Sequence, residues 1–168
     1  WDVGEDRATP VGDAIPSRWA AQQLLVVDDD DLVSVVVVTD DGFMRRLDAT
    51  GVIVEEVEPP GSFVSAAVSE DGSLFAGAEA DGTVRVFTID EDFHFTPGPT
   101  TKVSPDSVEL LTFSPDGLAL AWADPLGLAL WRLADPGGPH FTDLGLVVSI
   151  AFSPDRRPDE AVVAAGVL

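Results

Sequence analysis

A turn recurs through this chain, and its spacing limits the architectures open to it. The triplet Ser-x-Asp stands at Ser69/Asp71, Ser114/Asp116 and Ser153/Asp155, so its aspartates are 45 and then 39 residues apart. A degenerate earlier copy, LLVVDDDDLVSVVVVTDDGFMRRLD, places Asp31 another 40 residues before Asp71. A second marker, Asp41-Gly42, Asp81-Gly82 and Asp124 to Gly127, moves in step, with its glycines 40 and 45 apart. Two markers that drift together imply duplication of whole units. A period near ~40 residues belongs to propeller blades or helical arrays.

The content of each unit separates these two options. The units are short β-rich runs (VSAAV, LFAGA, TVRVFTI) punctuated by EDG, ADG or PDG. That is strand and tight-turn chemistry, in which Gly supplies a positive φ and Asp bonds its own backbone. No apolar pattern of period 3.6 persists long enough for paired helices. The sequence therefore predicts an all-β chain, a β-propeller of four-stranded antiparallel blades.

These units resemble WD-repeat propeller blades. The family pattern runs from an apolar strand through a Ser-Pro-Asp-Gly turn, a second strand and an Asp-Gly turn to a third strand ending in Trp. That last position is held here by Trp131 in LALWRLA, Phe87 in VRVFTID and Leu47 in FMRRLDA. The Trp-Asp dipeptide occurs at Trp1-Asp2, the Gly-His dipeptide is absent, and the family's His-Ser-Asp-Trp network is incomplete in every blade. The resemblance implies a scaffold that presents loops to protein partners. The Ala-, Asp- and Pro-rich wording is similar to WD repeats of large bacterial signalling proteins, which implies a sensing or docking part.

The repeat frame gives about four blades: 20–60, 61–104, 105–143, and a composite blade in which 1–13 completes the two strands started by 144–168. Within these, Asp28 to Asp31 is expected to form an acidic turn. The fourth strand of the second full blade is sought in Asp90 to Thr101, where an alternating FHF meets Pro97 and Pro99, residues suited to an edge strand or a loop. Closure as four blades, pairing of two chains into a larger ring, and excision from a larger ring all remain open.

Charge narrows the partners. Thirty acids against nine Lys plus Arg give a net charge of −21, which repels phosphate backbones and anionic lipid, so no nucleic acid and no membrane partner is expected. A hydrophobic content of 45% is sufficient for a folded core. Cysteine is absent, which removes disulfides and thiolate chemistry. With no apolar run of spanning length and no basic-then-apolar leader, a cytoplasmic location is expected.

The search for reactive groups returns little. His94 and His140, the two histidines, fall on different blades, and the repeated Ser and Asp positions read as turn residues. Neither cofactor nor metal nor catalytic residue is expected. Trp122, Trp131 and Phe87 read as core. The expected partner-facing surface is built from crossings between blades and from turns between second and third strands: Arg18, Trp19, Asp40, Phe63, Glu79, Asp106 and Asp124. The expected function is a non-catalytic docking module for a protein or peptide. The alternative is a propeller enzyme or small-ligand binder using acids around the channel, for which the first strands offer Glu109.

Overall fold

In a computed structural model, residues 2–3, 8–9, 21–29, 32–39, 43–48, 50–102, 108–153 and 163–167 are described. Every regular element among them is a strand. The chain divides into two compact units, residues 1–59 and 60–168.

The first unit contains the antiparallel pair β1 (Asp2–Val3) and β2 (Ala8–Thr9). It also holds a four-stranded meander of β3 (Ala21–Asp29), β4 (Leu32–Thr39), β5 (Met44–Leu47) and β6 (Ile53–Val57). Asp28 and Asp29 belong to β3, and Asp29 pairs with Leu32. Of the expected acidic turn Asp28 to Asp31, the first two residues thus continue the strand, and Asp30 and Asp31 lie outside the described residues.

The second unit repeats the meander twice. β7 (Ser65–Val68), β8 (Leu74–Ala78), β9 (Thr83–Ile89) and β10 (Phe95–Lys102) form one sheet. β11 (Leu110–Phe113), β12 (Ala119–Asp124), β13 (Gly127–Arg132) and β14 (His140–Asp143) form the next. β15 (Val147–Phe152) and β16 (Val163–Val167) make a two-stranded sheet. The first strands β7, β11 and β15 lie side by side, so each sheet's opening strand is innermost. This is the blade arrangement of a propeller.

The hairpins form where the repeat predicts them. In the first, the buried Ser69 hydroxyl donates to Asp71 Oδ1 at 2.6 Å and accepts the Leu74 N–H at 2.9 Å, while the Gly72 N–H donates to the Ser69 carbonyl. Ser114, Asp116, Gly117 and Ala119 reproduce these contacts at 2.6, 2.9 and 2.9 Å. Gly72 and Gly117 take φ of 73° and 69°, a region that favours glycine.

A further turn, between third and fourth strands, also recurs. Asp48, Asp90 and Asp135 each begin it by accepting an N–H two residues on, and Gly51, Phe93 and Gly138 each take a positive φ three residues on. Phe93 thus belongs to a turn and not to an alternating Phe-His-Phe strand. β10 instead runs through Pro97 and Pro99, with a register shift between Pro97 and Thr100. Prolines are tolerated there because β10 is an edge strand.

Packing joins the two complete sheets of the second unit. Ala76, Ala78, Val84 and Val86 from one meet Leu111, Phe113, Trp122 and Trp131 from the other in a single buried cluster. Trp122 and Trp131 stand edge to face with centroids 6.4 Å apart, and Phe87 is buried as well. On the β7–β10 sheet, Phe63, Phe75, Phe87 and Phe95 form a ring cluster with centroids 5.5 to 6.2 Å apart. Such aromatic pairs add stabilisation beyond their area.

Candidate functional site

The end of the second unit that carries crossings and second-to-third-strand turns is built from short-range hydrogen bonds. The Val64 N–H donates to the Ala78 carbonyl at 2.8 Å, and the Glu109 N–H to the Ala123 carbonyl at 3.0 Å. Each crossing is thereby tied to the turn beside it. The Ser65 hydroxyl contacts the Glu109 carbonyl at 3.4 Å, linking the two sheets at this end.

Three of the sequence-expected surface residues can be placed here. Phe63 is half-buried, its ring lying over Gly77 and Gly61 so closely that a Cβ at either glycine would overlap it. Glu79 accepts from Arg85 Nε at 2.6 Å, and both side chains keep solvent contact. Asp124 is 3% exposed, with its carboxylate turned inward to accept the Leu126 and Gly127 N–H groups at 2.8 and 3.1 Å. Arg18, Trp19, Asp40 and Asp106 lie outside the described residues.

What Asp124 displays is its neighbour. By holding the Asp124–Gly127 turn tight, it sets Leu126 outward at 55% exposure. The Gly145 N–H donates to the Leu126 carbonyl at 3.3 Å, which brings Leu144 and Leu146 (38% and 43% exposed) beside it. Gly127 makes this approach feasible, because a Cβ there would meet the Thr142 carbonyl and the Leu144 amide. Val64 is a fourth exposed apolar side chain at this end. Sequence reasoning followed the repeated Asp and missed these leucines. The signal that could have found them is three leucines placed in a turn and a crossing, where a solvated loop needs none.

Asp143 precedes Leu144 in the chain, while on the neighbouring sheet Lys102 is bound to Asp81 at 2.8 Å and Arg85 to Glu79. The Lys102 ammonium, then the Thr83 hydroxyl and N–H, hold the Asp81 carboxyl well below the usual carboxylate range. His94 and His140 sit on exposed strands or turns, 3.3 Å from Asp90 and 3.7 Å from Asp135 respectively. No group of three or more His, Cys, Asp or Glu among the described residues has metal-holding geometry. No helix among them is long and apolar enough to cross a membrane.

No family model matches the chain. Apoptotic protease-activating factor 1 of Rattus norvegicus is 28% identical over 111 residues, covering 58% of this chain and 8% of that protein. Among solved structures, the WD40 repeats of RRP9 and the structure of U3-55K each superpose with a TM-score of 0.59 at 16% identity, covering 81% of this chain and 43% of theirs. The β-propeller domain of Myceliophteria thermophila Cps50 (Swd1) superposes with a TM-score of 0.55 at 14% identity, over 76% of this chain and 44% of that one. The chain spans less than half the length of each of these structures, and a small part of the rat protein.

Proposed function

We propose that this chain, which has the fold of the WD40-repeat β-propellers, is a non-catalytic docking module that receives a protein or peptide on its loop end. The observation that carries this reading is the exposed trio Leu126, Leu144 and Leu146, set on a frame of buried hydrogen-bonded turns. Apolar side chains held outward by a rigid scaffold, on a chain whose net charge is −21, form an anchor for an apolar partner residue with cationic neighbours. Phe63 and Glu79 extend this surface along the neighbouring sheet. Asp124 serves the surface indirectly, by shaping the turn that displays Leu126.

The test is affinity purification from cells that express the protein, comparing the wild-type chain with the double variant Leu126→Asp/Leu144→Asp. Both positions are exposed, so the variant should keep the thermal midpoint of the wild type. Loss of specifically retained proteins from a folded variant supports the reading. Retention of the same proteins by both chains overturns it.

A further inference from the structure

In the repeat register set by Ser69, Ser114 and Ser153, the residues five positions before each serine are Val64, Glu109 and Val148. They stand at the openings of β7, β11 and β15, which lie side by side with β11 between the other two. All three are exposed, Val64 at 45% and Val148 at 48%. Val148 is the extra residue between the pairs Val147↔Val167 and Ser149↔Gly166, a bulge of the kind that re-aims a side chain. The row therefore reads apolar, acidic, apolar across three neighbouring sheets.

Glu109, in the middle, carries a carboxylate that the fold has not used. Glu79 is held by Arg85, Asp81 by Lys102, and Asp124 by the amides of its own turn. No hydrogen bond or ion pair among the described residues engages the Glu109 side chain, whereas its backbone is fixed on both sides, by the Ala123 carbonyl and the Ser65 hydroxyl. Ala123 leads into the turn that displays Leu126, so the acid borders that leucine's turn. On the far side, Leu146 is joined to Val148 through the buried Val147, which continues the apolar crossing into the row. Asp143 is also unengaged, but it stands on the outermost strand, β14.

We propose, on the premise that the loop end is a docking surface, that it selects an extended segment carrying one cationic residue between two apolar ones. The cation meets the Glu109 carboxylate, and the apolar residues meet Val64 on one side and Val148 with the crossing leucines on the other. Face-packed sheets stand about 10 Å apart, which an extended chain covers in about three residues at roughly 3.3 Å each. The cation and each apolar residue of the segment are therefore about three positions apart. A segment of the reverse pattern is rejected, because an acid set against Glu109 repels it and polar residues leave the valines uncovered.

The experiment is titration calorimetry of the full chain with the synthetic peptide Leu-Ser-Thr-Arg-Thr-Ser-Leu, capped at both ends and reading the same in either direction. Glu109→Gln should weaken binding about two- to fivefold, the range of an exposed ion pair. Replacing the peptide's Arg by Gln should weaken it to the same degree, and the two changes together should weaken it no further. Val64→Ser should weaken binding of both peptides, and Asp143→Asn should leave the difference between them unchanged. These positions are exposed, so matching thermal midpoints show that a lost affinity is not a lost fold. Additive losses from Glu109→Gln and the Arg replacement overturn the proposal, as does a difference between the peptides that Asp143→Asn removes. If Leu126→Asp/Leu144→Asp abolishes binding while Glu109→Gln leaves that difference intact, the docking surface stands and its selection of a cation falls. Absence of binding to the wild-type chain also overturns the proposal, and the affinity purification then judges the docking surface by itself.

Discussion

Single residues decide how sharply the chain turns. Gly138 adopts a φ of 78°, with nothing within 4 Å of where a Cβ would stand. Gly138→Ala therefore isolates the left-handed backbone cost and should destabilise by about 1 kcal/mol in urea unfolding. Ser114→Ala removes the acceptor for the buried Ala119 N–H and the donor to Asp116, and should cost about 1–3 kcal/mol by the same measurement. The turn aspartates also give a pH dependence. The Ser114 hydroxyl and Leu118 N–H lower the Asp116 pKa, and Asp71 is lowered because bonds from Ser69 and Ser73 outweigh its burial. Asp48 is lowered by the Thr50 hydroxyl and the Val52 N–H, and Asp90 mainly by the His94 N–H. A carboxyl with a depressed folded pKa contributes stability that is present above its unfolded value and is lost as pH falls through the folded one. Stability should therefore hold on descent to about pH 4 and fall below it. In Asp116→Asn that loss should be smaller, as read from thermal midpoints across an acid series.

At the scale of strands and turns, the unit most open to a test is the Phe63 cover on β8. Gly77→Ala forces a methyl group into the Phe63 ring and should cost about 1–3 kcal/mol through overpacking. In a Phe63→Ala background the same change should cost markedly less, and a double-mutant cycle reads the difference. The sequence exposed the parts of this architecture that rest on local chemistry. Ser69 and Ser114 announce their hairpins because a buried hydroxyl and a following Asp are both needed to satisfy the turn. Trp122, Trp131 and Phe87 read as core because large aromatics at repeat positions have few other places to go. The third recurring turn stayed hidden because Phe93 stands where Gly51 and Gly138 stand, so its glycine signature is broken in one copy of three. β10 was obscured by prolines that an edge position permits. The leucines at 126, 144 and 146 were illegible for another reason: exposure is settled by tertiary placement, and a leucine in sequence looks like core.

For the whole molecule, charge is the dominant quantity. Among the described residues, Arg45, Arg46, Arg85 and Lys102 are already engaged with Glu56, Glu55, Glu79 and Asp81. These pairs take up cations from a sequence that holds nine against thirty acids. Two opposite effects of salt then compete. Screening weakens the exposed pairs, each worth up to about 1 kcal/mol, and it also relieves the mutual repulsion of the surplus carboxylates, which opposes the compact state. The surplus of 21 charges exceeds the few paired ones, and screening is nearly complete at about 1 M salt, where the Debye length is roughly 3 Å. The relief should therefore win, and the thermal midpoint should rise steadily from low salt to about 1 M sodium chloride. Calorimetry in sodium chloride checks this, and sodium sulfate is unsuitable because it strengthens apolar burial by exclusion. A falling midpoint would mean that the Arg and Lys pairs hold the sheets more strongly than the excess acids push them apart. Binding of any cationic partner should run the other way, weakening over the same salt range in which the folded chain gains stability.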